Sequence, residues 1–76
     1  MDLMQVGKGK RATVIRVKTD EKIRRRLKSF DVYPGVQVKV VRRSLFSGGV
    51  LVDVNGALIS ISREIAQNIS VMRIDE

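Results

Sequence analysis

A chain of 76 residues supports one small core, read as a single domain over residues 1–76; with no cysteine and no histidine it lacks disulfides, the common nucleophile, the common general base and the preferred ligands of zinc or ferrous iron. The formal charge of +7 is unevenly placed: residues 1–43 hold thirteen Lys/Arg against four Asp/Glu, and residues 44–76 hold two against four, so the first part carries +9 and the second −2. That polarity suits an acidic partner, whether nucleic acid, anionic lipid head groups or an acidic protein face.

Met1 to Gly9 reads as a lead-in segment whose Leu3 and Val6 tuck against the body, and Lys8, Lys10 and Arg11 around Gly9 mark a solvated turn. Ala12 to Val17 is strand-like but out of phase, with Ala12 and Val14 on one face and Ile15 and Val17 on the other. Either both faces are partly covered or a bulge shifts the phase midway. Next comes a short basic helix. Thr19 or Asp20 caps its start, Asp20 and Glu21 suit its positive end, and Ile23, Leu27 and Phe30 form one inward stripe that places Phe30 in the core. Pro34 pushes Tyr33 out of helical geometry and Gly35 supplies a turn. Beyond that stop, Val36, Val38 and Val40 alternate with Gln37 and Lys39 as a half-buried strand. A helix this short needs a sheet to pack on.

Ser44 to Gly49 is a loop that presents Leu45 and Phe46 in its middle. Val50, Val52 and Val54 alternate with Leu51, Asp53 and Asn55 as a third strand. Asn55-Gly56 predicts a type I′ hairpin turn, and Ala57, Ile59 and Ile61 form the return strand in register. Arg63 to Asn68 makes about one helical turn, Ile69 to Ile74 a last strand, and Asp75 and Glu76 end the chain in water. The fold class is therefore mainly β: a small SH3-like β-barrel of about five strands with one short helix between strands 1 and 2. No apolar run approaches the roughly 18–20 residues of a membrane span, nothing reads as a signal peptide, and a reducing cytoplasm is the expected compartment without membrane insertion.

The chemistry expected of such a chain is docking. No catalytic, cofactor-binding or metal-binding residues are assigned: Asp20-Glu21 and Asp75-Glu76 read as helix-start and tail charges, Ser60 and Ser62 as exposed strand positions without a base, and Gly48-Gly49 lacks the lysine and helix of a phosphate loop. An enzyme is not expected. The run Lys22, Arg24, Arg25, Arg26, Lys28 is either a solvated helix face or a surface for an acidic partner, with the stem of Arg26 packed over the barrel rim. Leu45 and Phe46 are either folded over the core or, with Leu51 and Leu58 on outward strand faces, part of a protein-docking patch. Arg24, Arg25, Arg26, Leu45 and Phe46 are the partner-binding candidates. The alternative is a small-barrel nucleic-acid-binding module using the basic helix, although Phe30, Tyr33 and Phe46 are the only aromatics on which bases can stack.

A set of residues in order joins these features: Gly9 with Ala12 and Val14; Arg26-Leu27 followed by Phe30-Asp31-Val32-Tyr33-Pro34-Gly35; Val36-Gln37-Val38; Gly49 and Asn55-Gly56; and Ile59-Ser60-Ile61-Ser62-Arg63 followed by Ala66, Ile69 and Val71. With these the chain resembles the bacterial ferrous iron transport protein A (FeoA) family from about Gly9 to Val71. The resemblance implies an SH3-like barrel in the cytoplasm, an accessory or regulatory role in ferrous iron uptake, and a partner, FeoB, the membrane ferrous iron transporter with a cytoplasmic GTP-binding domain. A related resemblance is to the SH3-like domain of metal-dependent repressors, here without a DNA-binding helix pair. Two departures stand out. Asp31 occupies the left-handed helix cap where that family usually has glycine, and its usual prolines around Leu45 to Gly49 are missing.

Overall fold

Alternating valines and isoleucines build five antiparallel strands: β1 (Arg11–Val17), β2 (Gln37–Arg43), β3 (Val50–Val54), β4 (Ala57–Ile61) and β5 (Ile69–Arg73). Helix α1 (Glu21–Ser29) fills the β1–β2 connection, and a single turn, α2 (Arg63–Ala66), links β4 to β5. The computed structural model describes residues 1–44 and 48–74. One sheet results, in the order β4-β3-β2-β1-β5, curled in the SH3-like manner around a core of small aliphatic side chains. Among the described residues no polar or charged side chain is buried. Hydrophobic burial therefore carries the fold.

The phase problem in the first strand resolves as a bulge. Val14 pairs with Val71 and Arg16 with Ser70, so the register slips between Val14 and Arg16. Ala12, Val14 and Val17 all reach the core, and Ile15 is turned outward, 48% exposed. A second slip lies between Val40 and Arg42 of β2. An extra residue bends and over-twists its strand, so two bulges in adjacent strands let a narrow sheet coil on itself.

Turn chemistry closes the remaining connections. Asn55 (φ 53°) and Gly56 (φ 88°) form the expected I′ turn, with the Gly56 N–H donating to Asp53 Oδ1 at 2.8 Å. Val54 then faces Ala57, Val52 faces Ile59 and Val50 faces Ile61. Gly49 is required by space: a Cβ there would collide with the Ile61 carbonyl oxygen.

Helix α1 starts where expected, with Asp20 Oδ1 accepting from the Ile23 N–H at 2.8 Å. Its end is a Schellman motif. Asp31 N–H donates to the Lys28 carbonyl (3.0 Å) and Val32 N–H to the Leu27 carbonyl (2.9 Å), while buried Leu27 and Val32 supply the accompanying apolar pair. Asp31 holds the left-handed angle (φ 65°), so the cap forms without a glycine. Phe30 corrects the sequence reading. It is the C-cap residue (φ −99°, ψ 16°), and the chain turns there before its ring can follow Ile23 and Leu27 inward; 47% of it stays exposed.

The two ends of the sheet differ. Along β5, the lead-in segment lies against the outer edge: Asp2 bridges to Ser70, and Val71 N–H donates to the Met1 carbonyl at 2.9 Å. Leu3 and Val6 anchor that segment in the core, as their sequence pattern implied. Among the described residues, β4 has no strand on its outer side, and no ladder joins it to β5. The expectations for Leu45, Phe46, Asp75 and Glu76 fall outside the described residues.

Candidate functional site

A helix turns each residue about 100° from the last, so three consecutive arginines cannot share one face. Arg24 sits on one flank of α1, where Arg24, Arg25 and Lys28 border a shallow depression with Tyr33 and Pro34. Arg25 points outward and pairs with Glu21, one turn earlier, at 2.8 Å. Both partners are exposed, so this pair contributes little to stability. Arg26 lies on the opposite flank, one residue before the inward Leu27. The basic run is thus divided into an outer face, Arg24 with Arg25, and a separate guanidinium at Arg26.

Arg26 borders an open groove of about 710 Å³ between α1 and β4. On the helix side the wall is Ile23, Arg26, Leu27 and Phe30; on the sheet side it is every residue from Ala57 to Ser62; Ile65 of α2 completes it. Three facts of the chain make this groove. The I′ turn places β4 at the sheet end, the Schellman motif stops α1 at Phe30, and Ser62 caps α2 by accepting from the Ile65 N–H at 3.4 Å. The lining is apolar except for Ser60, Ser62 and Arg26, and Arg26 is its only charged member. An open apolar groove with one cation suits a partner that brings apolar side chains and a carboxylate.

Of the five sequence candidates, the structure puts Arg26 in the groove and Arg24 and Arg25 outside it; Leu45 and Phe46 are among the residues not described. Sequence reasoning placed Phe30 in the core and gave Ile59 and Ile65 no surface role. The legible signal was Leu58, an apolar residue at an outward strand position, which is 62% exposed at the groove. Among the described residues no group of three His, Cys, Asp or Glu side chains gathers to hold a metal ion, and no helix is long and apolar enough to cross a membrane.

The fold is shared with solved proteins. A FeoA protein from Chlorobium tepidum superposes with a TM-score of 0.92 at 31% identity, covering 99% of this chain and 71% of that one. An iron uptake regulatory protein (FeoA) superposes with a TM-score of 0.85 at 22% identity, covering 97% of this chain and 96% of the other. A manganese-dependent transcriptional repressor shows the same fold (TM-score 0.86, 24% identity, 97% of this chain), but this chain spans only 41% of it. No curated protein sequence matches the chain. The FeoA domain, by contrast, matches residues 1–73, the whole barrel with its lead-in segment and both helices, and the chain therefore belongs to the FeoA family.

Proposed function

We propose that this chain is an accessory and regulatory protein of bacterial ferrous iron uptake that acts in the cytoplasm, without catalysis, by contact with the membrane transporter FeoB. The observation that carries the reading is the FeoA domain match across residues 1–73. Physical chemistry supports it from another side. A chain without histidine or cysteine is poorly equipped to hold a ferrous ion itself, so its influence on iron passes through another protein. The proposed docking surfaces are the α1–β4 groove with Arg26, the outer helix face with Arg24 and Arg25, and the Leu45–Phe46 loop.

Capture of detergent-solubilised FeoB by the immobilised chain tests this. Wild type retains FeoB; Phe46→Asp and the double reversal Arg24→Glu/Arg25→Glu lose it. Absence of wild-type capture rejects the partner, and undiminished capture by both variants rejects those two surfaces.

A further inference from the structure

We propose that the outer edge of β4 takes up an extended segment of the partner protein as a sixth strand, with the segment's apolar side chains in the groove and a carboxylate on Arg26. This rests on the docking reading above and specifies how the contact is made.

The hairpin decides which backbone groups are on offer. In a two-residue I′ hairpin the residues flanking the turn exchange both of their hydrogen bonds. Val54 and Ala57 are therefore a bonded pair, and so are Val52–Ile59 and Val50–Ile61, two residues on each time. The N–H and C=O groups of Leu58 and Ser60 point the other way, off the sheet. Among the described residues nothing bonds to them from that side. The opposite end of the sheet is treated differently, since Met1 and Asp2 cover β5. One edge is closed by the chain's own lead-in segment and, among the described residues, the other is left open.

Open edges are usually blunted by lysine, proline or an inward charge. From Ala57 to Ser62 there is no charged residue and no proline. The groove also follows the edge rather than one face, because odd and even residues of β4 line it alike. A strand laid there gains main-chain hydrogen bonds from Leu58 and Ser60 and places alternate side chains against Ile23, Leu27 and Phe30.

Charge selects the occupant. Among the described residues Arg26 is the only charged residue of the groove, and the opposite flank of α1 adds Arg24, Arg25 and Lys28, with Glu21 paired to Arg25. A second copy paired edge to edge would bring two chains of +7 together with their Arg26 groups along one seam. An acidic, apolar-alternating segment meets no such opposition.

The test uses the full chain and detergent-solubilised FeoB. Ser60→Pro and Leu58→Pro remove an outward N–H without touching the β3–β4 ladder, a placement that edge strands tolerate. Each is expected to weaken capture about tenfold or more, as is Arg26→Glu, while Ser60→Ala, which keeps the N–H, weakens it at least several-fold less than Ser60→Pro. Amide hydrogen exchange on the wild-type chain supplies a readout that does not depend on the proline variants folding: the Leu58 and Ser60 amides should slow when FeoB is added. Full capture by folded Ser60→Pro, or unchanged exchange at both amides in a captured complex, overturns strand addition and leaves the docking reading standing. Failure of wild-type capture overturns both. Sedimentation of the chain alone addresses the second copy: a dimer abolished by Ser60→Pro assigns the edge to self-pairing and overturns the acidic partner.

Discussion

Replacing Asp31 by glycine should stabilise this protein, and the structure says by how much. Asp31 sits at φ 65° in the Schellman turn that ends α1. A left-handed angle costs an L-residue about 1–2 kcal/mol, less for Asp, whose short polar side chain tolerates it; glycine pays nothing sterically but loses more chain entropy, about 0.5–1 kcal/mol. A second effect acts in the same direction as the first. Asp31 places a carboxylate just beyond the negative end of α1, where anions are disfavoured by about 0.3–1 kcal/mol. The net gain for Asp31→Gly is about 0.5–1 kcal/mol, which in a domain of this size raises Tm by about 3–6 °C. Asp31→Asn separates the two causes, because asparagine keeps the left-handed tolerance and drops the charge; it should recover only about 0.3–0.5 kcal/mol. Urea titration followed by circular dichroism measures both. A lower midpoint for Asp31→Gly at unchanged m-value would refute the reasoning, since it would mean that the aspartate side chain stabilises the native state by more than the strain it carries.

Gly49→Ala should be among the most damaging single substitutions, costing about 2–3 kcal/mol or preventing folding, because the new methyl meets the Ile61 carbonyl on a neighbouring strand rather than a movable side chain; thermal melts of the purified variant check it. Phe30→Ala and Leu27→Ala make a paired prediction. Leu27 is buried, so its truncation should cost about 2–4 kcal/mol, whereas half-exposed Phe30 should cost less than half as much in the same urea titration and instead reduce FeoB capture. Equal destabilisation by the two would place Phe30 back in the core.

The division between local and tertiary information follows from how far apart the cooperating residues are. Strand alternation, the Asn55-Gly56 turn, the Asp20 cap and the turn at Pro34-Gly35 each depend on residues within a few positions of one another, and all were legible in the amino-acid string, whereas α1 itself stops earlier, at Phe30. So was the absence of histidine and cysteine, which directs attention to docking rather than chemistry. The out-of-phase first strand was half legible: Ala12, Val14 and Val17 announced an irregularity, but only pairing with Val71 and Ser70 made it a bulge. The candidate site was the least legible part. Three adjacent arginines looked like one feature, and helical geometry sends them to different sides; Phe30 matched the inward spacing, and the left-handed turn at Asp31 left it on the groove wall. The groove itself brings Arg26 of α1 beside β4 more than thirty positions later, and the covered edge brings Met1 to Val71. Contacts at such separations are decided when the sheet coils and selects which surfaces meet, a choice that short-range periodicity does not encode.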